Sequence, residues 1–345
     1  MSFLISKKSF VKKRIIYILA AAALGFFVSE AKAEINWQGL MFGDLYYVAD
    51  HHNPDIKNAN GFRFRRIYST WNFTLSDSIK GRLRLEMADI GDFTTKAKMT
   101  PFVKDAYLQA RIGGQTLTAG ISISPTIAGI ESLWRYRPLE KTPLVLFKFG
   151  SSRDFGVSLK GGETSYYHIM FANGNANSSE SNKGKKISGS FGLRPVKGVV
   201  LEDYADHDWD SKNGRNYSVL QGLAGYEGRR GRIAILYANR HYKNGDIEKN
   251  SGIFSGFVIL NVLDNIDVII RFDKLFNEPI EKTIPYIPFS MEAKPSLLIA
   301  AVNYKVMDNV WLIPNIKYAF YDDTDLGEKP GNDIYFNITF WWKFK

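Results

Sequence analysis

The sequence predicts an all-β protein, a 16-stranded antiparallel transmembrane β-barrel, and three observations predict it. Apolar and polar residues alternate at period two from residue 35 to the C-terminus. Tight turns and long polar segments take turns between the alternating stretches, the arrangement of a barrel with short turns at one rim and loops at the other. Many stretches run to 10 residues or more, and a tilted strand needs about 9–11 residues to cross a bilayer. Because backbone groups in lipid must all be paired, such a sheet has to close on itself.

Composition narrows the class before any fold argument. The chain has 345 residues, no cysteine, 29 glycines and 14% aromatics, which excludes disulfide scaffolds and thiolate metal or redox sites. A mean hydropathy of −0.20 argues against a bundle of apolar helices, each of about 20 residues. Residues 1–33 read as a secretory signal peptide. Lys7, Lys8, Lys12, Lys13 and Arg14 form a basic start, Ile15 to Val28 an apolar run, and Ala31-Lys32-Ala33 a small-residue cleavage site. Without it the chain holds 39 basic and 34 acidic residues, a net charge of +5 rather than +10. Export and this modest charge argue against a nucleic-acid partner. The remaining residues, 34–345, form one barrel domain.

The expected strands are 35–49, 62–76, 80–90, 102–111, 115–123, 153–160, 164–173, 186–194, 199–207, 215–226, 231–242, 252–262, 266–275, 296–305, 310–321 and 332–344. In the stretch 82–87, Arg82, Arg84 and Glu86 share one face and Leu83, Leu85 and Met87 the other. Tight turns fall at Ser76-Asp77-Ser78, Gly113-Gly114, Gly161-Gly162, 195–198, Glu227-Gly228, 263–265 and 307–309. Long loops are expected near 50–61, 91–101, 124–152, 174–185, 208–214, 243–251, 276–295 and 322–331. A soluble sandwich also alternates, but gives no reason for every second loop to be long. Trp37, Tyr46, Tyr47, Trp71, Tyr318, Phe320, Tyr321, Trp341 and Trp342 lie near strand ends, as interfacial girdles do. The last strand carries aromatics up to Phe344, near the terminal aromatic typical of bacterial outer-membrane barrels, with Lys345 after it.

In such a barrel the face turned from lipid lines the channel, and its charges tune what passes. Parity points inward for Arg66, Arg82, Arg84, Glu86, Asp105, Tyr107, Arg111, Lys160, Arg232, Arg271, Asp273, Asn315 and Lys317. Arg63, Arg65 and Arg66 conflict in parity, which a bulge or placement of the first two above the bilayer resolves. The basic excess suggests an anion path in which guanidinium groups replace hydration; charges that merely solvate a wide lumen are the plainer reading. The third loop, 124–152, is the longest. Its stretch 130–137 has two helical turns, broken by Pro138 and Pro143, and Leu133, Trp134, Leu144, Leu146 and Phe147 make it too apolar to sit in water. It is expected to fold into the lumen and narrow it, presenting Trp134, Arg135, Arg137, Lys141 and Lys148; a lid against a neighbouring subunit is the alternative.

Five segments then carry a resemblance: Gly61–Arg66, Phe102–Leu108, Leu117–Ile121, Glu140–Pro143 and Ser151–Gly156. They resemble the phosphate-selective porin O/P family, over the first half of the chain; the second half matches only as a generic barrel. The resemblance implies an outer-membrane porin, usually a homotrimer, passing small solutes with a preference for anions. It implies a basic channel at Arg63, Arg65, Arg66, Arg82 and Arg84. The chain is shorter than typical members and lacks an evident lysine cluster for phosphate.

Other features point elsewhere with less force. His168 is the histidine inside a strand, its parity opposes the lipid-facing Tyr167 and Ile169, and no serine lies two residues away, so a hydrolase is not expected. His51, His52 and Asp50 form a polar loop patch without metal-ligand spacing. Asp203, Asp206, His207, Asp208 and Asp210 read as an acidic run in one external loop that could hold calcium or a lipopolysaccharide-bridging cation. Neither cofactor nor catalytic residue is expected. A non-conducting adhesive barrel, binding partners through its loops, is the competing function.

Overall fold

The computed structural model describes residues 33–181, 183–210, 215–279, 285–324 and 326–344. The expected signal peptide lies outside them, apart from Ala33. Sixteen strands run in order: β1 (Glu34–Asp50), β2 (Asn60–Thr74), β3 (Ile79–Met87), β4 (Phe102–Ile112), β5 (Gln115–Ile123), β6 (Arg153–Gly162), β7 (Ser165–Ala172) and β8 (Lys185–Leu193). Then follow β9 (Val199–Asp210), β10 (Arg215–Gly228), β11 (Gly231–Asn244), β12 (Ile247–Leu263), β13 (Ile266–Leu275), β14 (Pro295–Met307), β15 (Val310–Tyr321) and β16 (Asp333–Phe344). Each pairs antiparallel with its sequence neighbours, and β1 pairs with β16 from Gly39↔Phe344 to Asp50↔Ile334, closing the barrel.

Closure gives the alternation its meaning. On β7, Ile169 and Phe171 are half exposed while His168, Met170 and Ala172 are buried. On β16, Phe336 and Ile338 are exposed against buried Asp333, Tyr335, Asn337 and Thr339. The outward face of these strands is apolar, the reverse of a water-soluble sheet, while polar groups such as His168, Asp333, Asn337 and Thr339 turn inward.

One expected loop, and the described start of another, are strand. Residues 243–251 form the tip of a hairpin in which β11 and β12 extend to a turn at Gly245-Asp246. Lys243↔Glu248 and Tyr242↔Lys249 pair across it, because polar residues outside lipid still satisfy a ladder. The acidic run is likewise not in a loop. Asp203, Asp206, His207 and Asp208 lie in β9, in register with β10, and Asp206 accepts the Val219 N–H, the Tyr204 hydroxyl and a bond from Lys186. Residues 211–214 of the expected 208–214 loop lie outside the described residues. Among the aromatics expected at the interface, Trp37, Tyr47 and Trp342 are exposed, but Tyr321 is buried and turned inward.

Gly120 shows how closely the wall is built. Its φ is +123°, and a Cβ there would stand 2.2 Å from the Ala106 carbonyl oxygen. Only glycine accepts both the dihedral and the approach. Gly120→Val is expected to abolish the β4–β5 ladder and with it barrel closure, read as loss of the compact, heat-shifted band on unboiled gels.

Candidate functional site

The segment 124–152 opens with a 3₁₀ turn (Pro125–Ile127), continues as α1 (Ala128–Trp134) and carries a second short helix, α2 (Pro143–Leu146). Arg135, in the left-handed region at φ 54°, ends α1, and Pro143 starts α2. Leu133, Trp134, Leu144, Leu146 and Phe147 are all at most 2% exposed. They are covered by the barrel's own wall. Trp134 packs on Phe257 of β12 with ring centroids 5.1 Å apart, and Arg271 of β13 lies 4.9 Å over the Trp134 ring.

Inward-pointing cations fasten this segment. Arg65 donates to the carbonyls of Pro138 and Leu139, while its Nε stands 2.7 Å from Asp44. Arg271 donates to the Lys141 carbonyl at 2.6 Å and forks onto Asp273. Lys317 bonds Glu140 at 2.7 Å. Burial would raise the Glu140 carboxyl, but Lys317, then Arg65, outweigh it and hold it well below the usual carboxylate range. Arg65, Arg271 and Lys317 are therefore loop anchors rather than anion contacts, and all three are buried. Carbonyls of an irregular segment need donors, and long cationic side chains from the wall supply them. Sequence parity found these residues but not this use.

A second segment lies over the first. Phe289 stacks on Phe147 at 5.6 Å, and the Tyr286 hydroxyl donates to the carbonyls of Asp89 and Arg65. Together the two segments cover an inner wall that is apolar from β10 to β15, with Leu223, Leu236, Ile253, Ile259, Ile269, Ile299 and Ile313 all buried.

The opposite wall, β2 to β6, is charged. A bulge between Phe42 and Gly43 of β1 leaves Arg65 as the extra residue of β2, which turns Arg63, Arg65 and Arg66 all inward. Arg63 pairs with Asp44, and its guanidinium lies 4.3 Å over the Tyr46 ring. Arg66 pairs with Glu86, which Lys104 also meets at 3.1 Å. Arg84, at 3.3 Å, and Arg153 share Asp105, with Arg82 at 3.9 Å. Lys104 and Arg153 were not singled out from sequence. A register shift between Arg84 and Leu85 makes Lys104 the bulged residue of β4, so that it and Asp105 both turn inward against strict alternation.

A cavity of about 400 Å³ lies beside the 124–152 segment, bounded by β2, β4 and β6 on one side and by β8 to β11 on the other. Arg66, Lys104, Lys186 and Arg240 line it from the strands, and Arg137, Lys141 and Lys148 from the loop, against Asp154, Asp206 and Asp208. Burial, then the charges of Arg66 and Arg137, drive the Lys141 ammonium well below its ordinary value. A second cavity, about 470 Å³, opens near the short turns between β4 and β8, where Lys160, His168 and Arg194 meet a hydroxyl-rich lining. Of the predicted residues, only Arg66, Arg137, Lys141 and Lys148 line the first cavity. Arg135 is exposed and bonds Glu227 in bidentate fashion at 2.7 Å; Arg232 stands 4.0 Å from the same carboxylate; Arg111 is exposed near the β4–β5 turn.

No protein-family profile matches the chain, and no curated protein matches it in sequence. Solved structures do match in fold. An anion-selective porin from Comamonas acidovorans aligns with TM-score 0.65 at 11% identity, over 91% of this chain and 100% of that one. The trimer form of OmpT, an outer membrane protein of Vibrio cholerae, aligns at 0.64 and 11%, over 90% and 99%. The outer membrane channel DcaP of Acinetobacter baumannii aligns at 0.63 and 13%, over 92% and 99%. At these identities the likeness is one of fold.

Proposed function

We propose that this chain is an outer-membrane porin that passes small hydrophilic solutes by diffusion and favours anions, phosphate-like ones among them. The observation that carries the reading is the basic lining of the cavity beside the 124–152 segment, seven lysine and arginine side chains against three carboxylates. Inside low-dielectric walls such an excess concentrates anions and repels cations. The outward apolar face supports residence in lipid, with lipopolysaccharide at the long-loop rim, after export through a cleaved signal peptide at 1–33. The anion-selective porin among the fold neighbours and the five segments that resemble the O/P family point the same way. The trimer form of one neighbour supports a homotrimer. The reading is non-enzymatic: His168 faces the lumen between Lys160 and Ser190, while the lipid face beside it carries Ile169 and Phe171.

The test is a planar bilayer holding the mature protein in a KCl gradient. A reversal potential on the chloride side is expected. Potassium preference overturns the anion reading and leaves the pore. A silent barrel overturns both and favours the plugged, adhesive alternative, for which the covered apolar half of the lumen would then be the reason.

A further inference from the structure

Among the described residues, Asp333 is a buried carboxylate whose ion-pair partners are two adjacent histidines. Asp44, Glu86, Asp105, Glu140 and Asp273 each meet an arginine or lysine. Asp333, at the long-loop end of β16 and fully buried, has only His51 and His52 as ion-pair partners among the described residues. A carboxylate taken out of water needs a compensating positive charge. His51 Nδ1 accepts the Asn53 N–H at 2.9 Å, so this nitrogen carries a lone pair.

The donors converge. His52 Nδ1 lies 2.9 Å and His51 Nδ1 3.9 Å from Asp333 Oδ1, and the three ligand groups fall within 4.8 Å of one another. The imidazoles stack at 4.3 Å. Zinc bonds of about 2.0–2.1 Å at tetrahedral angles require donors about 3.3 Å apart, a spacing that the two measured distances bracket. We propose that His51, His52 and Asp333 form a binding site for a zinc-class divalent cation on the β1–β16 seam at the long-loop rim. Two imidazole nitrogens and one carboxylate oxygen suit zinc rather than magnesium or calcium, which take oxygen ligands.

Zinc takes the place of the proton between His52 Nδ1 and Asp333, and of the Asn53 N–H that His51 Nδ1 accepts at 2.9 Å. The His52 backbone N–H, at 2.7 Å, and the Tyr321 hydroxyl hold the carboxylate in place. Tyr321 also accepts the Ser290 N–H at 3.2 Å. A bound cation thus ties the first external loop, β15, β16 and the segment before β14 together. Sequence spacing hid this site because Asp333 is 281 residues from His52.

The experiment is calorimetric titration of zinc into the tag-free, chelator-stripped barrel folded in detergent. One saturable zinc per barrel is expected, with affinity at least about tenfold weaker in His52→Ala and Asp333→Asn. His207→Ala, at a histidine bonded to Ser218 elsewhere, is expected to bind as the parent does. If Asp333→Asn fails to fold, His51→Ala, which leaves the Tyr321–Asp333 bond in place, serves instead. No saturable binding by the folded parent overturns the proposal and leaves a His52–Asp333 ion pair. Undiminished binding in the variants also overturns it and places the zinc elsewhere.

Discussion

Lys141→Glu will move the reversal potential of a KCl gradient toward potassium, with the chloride-to-potassium permeability ratio falling about tenfold. That ratio corresponds to about 1.4 kcal/mol of lost attraction, modest for a carboxylate placed in a confined basic cavity. Lys141 is the sensitive position because of its company. It lies in the loop, where burial first, and then the charges of Arg66, Arg137 and Lys148 against that of Glu140, disfavour its proton. Arg84→Ala should do much less. Arg84 shares Asp105 with Arg153 and Arg82, so its removal leaves a carboxylate still neutralised. An unchanged permeability ratio in Lys141→Glu would put the conducting path elsewhere, along the lining of Lys160, His168 and Arg194.

The same lysine gives a pH test. A lysine whose value is lowered carries its charge at low pH and loses it earlier than an ordinary lysine as pH rises. Chloride preference is therefore highest in acid and drops through that lowered range, below the model-compound value of about 10.4. Lys141→Met should start from a weaker preference and lack the drop. A drop of equal size in Lys141→Met assigns the titration to another group.

How far the sequence reaches can be argued from particular residues. Period-two alternation placed the strands closely; β5, β13 and β15 have the bounds expected, 115–123, 266–275 and 310–321. Strict alternation failed where the wall bulges. Arg65 and Lys104 are extra residues in their strands, and a bulge leaves no mark in hydrophobic pattern that distinguishes it from a strand end. The apolar inner wall did leave a mark. Phe257 to Leu260 and Leu297 to Val302 are apolar on both faces, the pattern of strands covered on both sides, which a water-filled lumen does not explain. Which cations anchor the loop and which face the cavity was not legible, since parity reports a face and not a partner. The His51–His52–Asp333 grouping depends on barrel closure, which brings the first strand beside the last.

Arg65→Ala is expected to loosen the 124–152 segment and destabilise the barrel together. The side chain acts three ways at once: it neutralises Asp44, and it donates to the Pro138 and Leu139 carbonyls. Removing one partner of a buried pair costs about 3–5 kcal/mol when the other charge is left uncompensated. Here Arg63, at 3.4 Å, and the Thr339 hydroxyl, at 2.6 Å, still serve Asp44, so the loss should fall at the lower end of that range. Among the described residues, no second donor to the two carbonyls is seen. With them undonated, the turn between α1 and α2 no longer has a fixed position against β2. Single-channel records should then show a larger, noisier open current, and the thermal midpoint should fall. Arg65→Lys separates the roles: an ammonium keeps the charge beside Asp44, but is not a planar fork matched to two carbonyls. It is expected to recover most of the stability and little of the quiet current. If Arg65→Ala conducts like the parent, the segment is held by Leu133, Trp134, Leu144 and Phe147 against the apolar wall. Trp134→Ala, which removes the contacts to Phe257 and Arg271, would then be the substitution that frees it.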